Sequence, residues 1–357
     1  MSEEVMAAVA AAVADHGPIG FDEYMNLALY GPGGFFRDPP VGADRHFVTG
    51  PHVHPFVFGH CLRDALLDTW QALGEPDPFP ILELGAGDGT LAASLLDAFG
   101  ELPAPAAAYA AVEISPGARS SLAALGLTAF DRIEPVEPFE GVAFANEVLD
   151  NLPFAWVRAD GRGVVAEVRV GIDGERLVEV LVPWSRPEPV PALEPGTEST
   201  VPVGALAMLD ALVARLRRGV VILIDYGTPD GPSGGPRGIR SHREVADVLS
   251  DPGGSDITAG VDLAAFAEHA TAGGLQAFEP VRQSDALTAL GLDRWDYAMR
   301  DRQASLQLEN RGAEAVRVWE SRSRASLLTE PAGMGGFWWL VLATPDLPRP
   351  RWLERAE

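Results

Sequence analysis

Three groups of residues have the types and spacing to do chemistry together. The first is Ile81-Leu-Glu-Leu-Gly-Ala-Gly-Asp-Gly89, an apolar strand that runs into a glycine turn and then into the helical pattern Thr90 to Phe99. Gly85, Gly87 and Gly89 let the backbone turn sharply and approach a ligand closely, because no Cβ blocks positive φ or contact there. The second is the acid Glu113, followed by Ile114, at the end of the apolar run that starts at Ala107. It lies about the distance downstream at which α/β cofactor folds place a ribose-binding carboxylate. The third is Asn146, Glu147 and Asp150, delivered at or just beyond the carboxyl end of the strand that starts at Gly141, where open α/β sheets bind ligands.

The spacing G-x-G-x-G lacks the third glycine of the G-x-G-x-x-G dinucleotide fingerprint, so no pyrophosphate is implied. S-adenosylmethionine fits better, since it carries an amino acid and a ribose and needs hydrogen-bond acceptors. Gly231-Pro-Ser-Gly-Gly235 matches the G-x-S-x-G nucleophile pattern. Ser233, however, lies several residues past the nearest strand, and a nucleophile elbow needs its serine on the turn itself. His52, His54 and His60 lack carboxylate or cysteine partners at ligand spacing, so no metal is expected.

Composition bounds the function classes. With 357 residues and 47% apolar content the chain can bury a sizeable core, in one large domain or one with a substantial insertion. Lys+Arg 27 against Asp+Glu 51 gives a net charge of −24, which argues against nucleic-acid backbones and anionic membranes as partners and is compatible with a cationic acceptor. Every basic residue is arginine, so a P-loop lysine and a Schiff-base lysine are both absent. Cys61 is the single cysteine, which excludes an intramolecular disulfide and any zinc site of several thiolates. The start, with acids Glu3 and Glu4 before Val5 to Val13, lacks the basic opening of a signal peptide. No apolar run reaches the ~18–20 residues of a membrane span, and a cytoplasmic location is expected.

The elements that must position these residues follow from periodicity. A helix over 5–14, a second from Asp22 to Leu29 and a helix over 56–73, with Trp70 and Leu73 on its buried face, precede the sheet. Aromatic residues alternating with turn formers across 17–51 predict a lid packed on something apolar. Strands 81–84, 108–113, one near Ala129 and one over 141–146 alternate with helices 90–99 and 116–125. Residues 156–183 alternate with turns at Asp160-Gly161 and Asp173-Gly174, which is antiparallel hairpin chemistry, and a Pro/Glu loop returns over 183–202. Helix 204–217, strand 219–227, helix 261–272, strand 275–282, a helical region over about 285–328 and strand 337–344 complete the chain. The expected organisation is an N-terminal lid at 1–75, a core at 76–153 and 204–345 with a helical insertion, and a β-hairpin insertion at 154–203.

Taken together the motifs resemble the MidA family of S-adenosylmethionine-dependent methyltransferases. The resemblance runs along most of the chain: Gly17-Pro-Ile to Tyr24-Met25, Leu29-Tyr30 with Gly34-Phe-Phe36, Phe47-Val-Thr49, Phe58-Gly59, Glu83 to Gly89, Val112-Glu113 with Ser115-Pro116, Asn146-Glu147 with Leu149-Asp150 and Leu152-Pro153, Asp225-Tyr-Gly227, Ser255-Asp-Ile-Thr258 with Val261-Asp262, and Gly333-Met334. The chain departs from that pattern at Arg45-His46, before Phe47, and at Gly260, both of which bear on acceptor recognition.

The resemblance implies an α/β fold with a Rossmann-like, seven-strand class I methyltransferase sheet and S-adenosyl-L-methionine as cofactor. It also implies a protein partner as substrate with an arginine acceptor, with a small-molecule methyltransferase or a non-catalytic assembly or binding protein as alternatives. The implied cofactor residues are Glu83, Gly85, Ala86, Gly87 and Gly89 toward the methionine, Glu113 and Ile114 toward the ribose and Asp131 toward the adenine. Asn146 is shared with the acceptor end, where Glu147 and Asp150 face the transferring methyl. The oligomeric state is left open, with a homodimer among the arrangements allowed.

Overall fold

The structure is a computed structural model that describes residues 2–37, 49–103, 105–231, 234–240 and 243–356. Arg45, His46, Phe47 and Ser233 lie outside the described residues.

The central sheet contains β1 (Phe79–Leu84), β2 (Ala107–Val112), β3 (Thr128–Phe130), β4 (Phe139–Asn146), β5 (Leu216–Asp225), the short strands β6 (Gln276–Ala277) and β7 (Val281–Arg282), and β8 (Trp338–Ala343). Their order across the sheet is β6/β7, β8, β5, β4, β1, β2, β3. Pairings from β5 to β3 are parallel, whereas β8 runs antiparallel to β5, β6 and β7. Eight strands thus fill seven positions. The single strand expected over 275–282 is split, because Pro280 between its halves has no N–H to give β8.

Strand order reverses at β1, whose neighbours are β2 and β4, and this switch point opens the crevice in which such sheets bind ligands. The continuous apolar run of β5 reflects two covered faces. Val220, Ile222 and Ile224 pack with the helix Pro55–Ala72 and with Trp339 and Trp352, while Val221 and Leu223 pack with the helices Val203–Val213 and Leu263–Ala272. The helix expected over 204–217 stops at Val213, because Leu216 already pairs with Phe139 at the start of β5.

A second sheet joins the N-terminal segment to the insertion. Ile19–Gly20 pairs with Val165–Asp173, which also pairs with Ala155–Ala159 and Arg176–Pro183. Glu198–Val201 adds a strand from within the stretch expected to be loop. Phe21, Tyr24, Met25 and Leu29 are fully buried in one cluster with Phe154, Trp156, Val168 and Val170. Phe21 lies 5.6 Å from Phe154 and 5.2 Å, edge-on, from Trp156. Arg186 fastens the same junction, donating to Asp22 at 2.6 and 2.9 Å and to the buried Glu167 at 2.9 Å. Over its described residues the segment expected as a lid packed on something apolar forms a wall, its aromatic side chains entering this shared core. The expected helix through Leu29 changes at Asn26–Tyr30 to a π-helical turn, a deviation frequent near functional sites.

Phe21→Ala should cost about 3–5 kcal/mol, the range for a large buried aromatic, measured by urea denaturation. A change below about 1 kcal/mol would show that the N-terminal segment lies outside the cooperative unit.

Candidate active site

The glycine turn leaves the carboxyl end of β1 with φ of 69° at Gly85 and 55° at Gly87, conformations that side chains rarely adopt. At Gly85 an added Cβ would come within 2.4 Å of Val148 Cγ2, so the turn can sit against the end of β4 because no side chain intervenes. At Gly87 an added Cβ would meet nothing within 4 Å, so that side of the backbone is open for a ligand. Glu113, 8% exposed, ties the turn to the end of β2. Its Oε2 accepts the Gly87 N–H at 2.9 Å and its Oε1 accepts the Ser115 N–H at 2.7 Å. Burial pushes this carboxyl up from the ordinary glutamate range, against the pull of those two donors.

A cavity of about 400 Å³ opens at this point. Gly85, Gly87, Glu113, Ile114, Asp131 and Glu147 all line it, with Asn26, Tyr30 and Phe36 as its N-terminal wall and Ala207 and Met208 opposite. Asp131 stands exposed at its rim. Glu83, Ala86 and Gly89 do not line it. The alternation of β1 turns Leu82 and Leu84 to one layer and Ile81 with Glu83 to the other, where Tyr109 donates its hydroxyl to Glu83 Oε2 at 2.5 Å. Burial pushes Glu83 up to about 8. Ala86 packs with Ala111 and Leu122, and Gly89 begins the helix Thr90–Gly100.

Asn146, Glu147 and Asp150, expected to face the transferring methyl, lie where β4 and β5 end in register with Asn146 opposite Ile224; Glu147 lines the cavity, whereas Asn146 and Asp150 do not. Glu147 has φ 56°, a strained value for a non-glycine residue. Its Oε1 accepts the Gly50 N–H at 2.9 Å and the Asn146 Nδ2 at 3.2 Å, so the N-terminal wall closes directly onto it. Thr49 and His52 fix that wall: His52 meets Thr49 Oγ1 at 2.7 Å and Asp88 Oδ2 at 3.1 Å. Burial pushes Asp88 up, but hydrogen bonds from His52 and Thr90 outweigh it and hold the group at about 2.

Beyond Glu147 the chain forms a 3-10 turn, Leu149–Asn151, that is built on Asp225 at the end of β5. Asp225 Oδ2 accepts the N–H groups of Val148 at 3.1 Å, Leu149 at 2.8 Å and Asp150 at 3.4 Å. Asp150 Oδ2 accepts the Thr258 hydroxyl at 2.7 Å, and Asn151 donates to Asp256 Oδ1 at 2.8 Å. Asn146 Oδ1 and Asp150 Oδ1 are buried and have no hydrogen-bond partner among the described residues. Burial pushes Glu147 up to about 7, Asp150 to about 6 and Asp256 to about 8, and the Asp150 carboxylate adds to the rise at Glu147 and Asp256.

Asp225, Asp256 and Thr258 belong to motifs whose spacing alone assigns them no role. The available signal for Asp225 was position: a polar residue closing the strand beside the one that ends in Asn146. The three histidines have separate partners, Asp88 for His52, Ser321 for His54 and Glu101 for His60. Among the described residues no cluster of three His, Cys, Asp or Glu is placed to hold a metal, and no helix is long and apolar enough to cross a membrane.

The raised pKa of Glu83 means that the folded chain keeps a proton which the unfolded chain releases above 4.5, so this group's contribution to stability is lost as pH rises from 4.5 through about 8. Glu83→Gln keeps an acceptor for Tyr109 and removes that loss. The melting temperature of Glu83→Gln relative to the parent should therefore rise across this window; a difference independent of pH would contradict the burial assigned to Glu83.

Residues 61–281 match the family described as S-adenosyl-L-methionine-dependent methyltransferase. A solved superfamily relative from Burkholderia thailandensis, bound to S-adenosyl-homocysteine, superposes with a TM-score of 0.82 at 27% identity over 97% of this chain and 93% of that one. Among curated relatives, a protein arginine methyltransferase NDUFAF7 homolog from Drosophila melanogaster is 28% identical over 89% of this chain and 80% of that protein. The NDUFAF7 protein of Danio rerio is 26% identical over 82% and 78%. The two curated relatives are named as mitochondrial proteins, which overturns the cytoplasmic expectation. Its matching family, class I sheet and ligand-bound structural relative make this chain a MidA-like, S-adenosyl-L-methionine-dependent methyltransferase.

Proposed function

We propose that this methyltransferase acts on an arginine side chain of a protein partner. The observation that carries the proposal is the pair of buried acceptors without partners, Asn146 Oδ1 and Asp150 Oδ1, beside the cavity-lining Glu147. A guanidinium has five N–H donors in a planar fork and no acceptor, so it satisfies such a set while supplying the charge the carboxylates lack. The curated relatives named as protein arginine methyltransferases support the same acceptor class. The net charge of −24 is compatible with it but decides little, since a solvated acidic surface is common.

The residues present fit the cofactor. The open backbone at Gly87 and the turn at Gly85 would take its amino-acid end, Glu113 and Ile114 its ribose, and Asp131 at the rim its adenine side. When bound, S-adenosyl-L-methionine supplies a methyl group already activated on a sulfonium, so the protein's task is proximity and orientation. Asn146, Glu147 and Asp150 would hold the guanidinium in line with that methyl. With pKa values pushed to about 7 and about 6, Glu147 and Asp150 are poised near neutrality to take the proton the acceptor must lose. Tyr30 and Gly50, brought in by the N-terminal wall, would keep water from the transfer.

Glu113→Ala should weaken S-adenosylhomocysteine binding about tenfold or more by calorimetry, the scale of lost hydrogen bonds to a charged group. Unchanged affinity would move the ribose contact elsewhere. Glu147→Gln and Asp150→Asn should keep that affinity within a few-fold, and at least one should lose methyl transfer to arginine-containing peptides by roughly 10²–10⁴. Full transfer by both variants would remove both acids from the role of base.

A further inference from the structure

Asp150 is held by an arrangement that reaches well beyond its own turn. Thr258, 1% exposed, ends the strand Asp256–Thr258, which pairs with Arg237–Arg240 in a small separate sheet. Its hydroxyl lies 2.7 Å from Asp150 Oδ2 and 2.6 Å from the hydroxyl of Tyr226, which follows the end of β5. The backbone repeats the link, with Ala259 N–H donating to the Asp150 carbonyl at 3.2 Å. An ionised carboxylate only accepts, so Thr258 must donate its single hydrogen to Asp150, and Tyr226 must then donate to Thr258. One carboxylate oxygen is thereby spent inside the protein, and the other, Oδ1, is left without a partner.

We propose that Thr258, backed by Tyr226, is the positioning residue of Asp150: it engages Oδ2 so that Oδ1 is presented to the acceptor. This rests on the reading that Asp150 faces the transferring methyl. In that step the acceptor nitrogen forms its bond to the methyl carbon as the carbon–sulfur bond breaks, the electron pair goes to sulfur, and the displaced N–H proton passes to Asp150 Oδ1. The groups around Asp150 are mostly acidic or phenolic: Glu147 on its own segment, Asp225 at the end of β5 and Tyr226 just after it, Asp256 from the small sheet and Tyr30 from the N-terminal wall, with Arg237 as the nearby cation. Without the Thr258 donor, an ionised Asp150 would lose the side-chain hydrogen bond that favours it and would take its proton at higher pH.

The test uses the full chain with S-adenosylhomocysteine bound, following the Asp150 carboxyl carbon by NMR, with the signal assigned from Asp150→Asn. Thr258→Val should raise the titration midpoint by about one pH unit or more, Thr258→Ser should restore it, and Tyr226→Phe should move it the same way by less. Methyl transfer to arginine-containing peptides should fall about tenfold or more in Thr258→Val and recover in Thr258→Ser. An unmoved midpoint in both Thr258→Val and Tyr226→Phe, or a serine variant that restores neither readout, overturns the inference whatever the acceptor. A shifted midpoint with full transfer by Asp150→Asn overturns instead the placement of Asp150 at the methyl.

Discussion

The site depends on one costly condition, the burial of several carboxyl groups at the adjoining ends of β4 and β5. Carboxylates resist removal from water unless donors or cations replace their hydration. Each of these has found a different answer. Asp225 is satisfied by successive backbone N–H groups and so dictates the turn that carries Asp150. Glu147 is held by the amide of Gly50 and by Asn146, and Asp256 by Asn151. What remains unsatisfied is concentrated at Asn146 and Asp150, next to the cavity. That concentration of unmet acceptors is what the proposed guanidinium acceptor would satisfy.

The outlying parts of the chain make sense as consequences. Burying acids at a sheet edge needs walls, and the edge of a bare seven-position sheet is open to water. The N-terminal segment supplies one wall through Tyr30, Gly50 and the Thr49–His52–Asp88 link, and it is in turn fixed by the insertion through Phe21, Phe154, Trp156 and the Arg186 ion pairs. Glu113 performs the corresponding task at the end of β1, joining the glycine turn to β2. Rigid placement of this kind is what an in-line transfer from an activated donor requires.

How much could be read from sequence follows from how local each cause is. The nearness of Glu113 to the glycine turn was legible because strand, turn and acid lie within about one βαβ unit, whose spacing is set by backbone geometry. Glu83 was drawn toward the cofactor by its nearness to the glycines, yet strand alternation turns it to the far layer, against Tyr109. Asp225 and Thr258 act on a turn that precedes them by 75 and 108 residues, and nothing local announces such a meeting. The aromatic stretch after Gly17 read as packed on something apolar, but its partners, Phe154, Trp156, Val168 and Val170, lie far downstream and nothing local names them. A split strand at Pro280 and a π-helical turn at Asn26 likewise depend on pairing and packing that period counting does not see.

The measurement that bears most directly on this account is the chemical position of the transferred methyl. Cells with and without the active protein, supplied with isotopically labelled methionine, can be compared by mass spectrometry for label gained on protein, nucleic acid and small molecules. The account predicts label on an arginine guanidinium of a protein, absent when Glu147 and Asp150 are both replaced by their amides. Label appearing instead on a carboxylate, a nucleic-acid base or a small metabolite would contradict it.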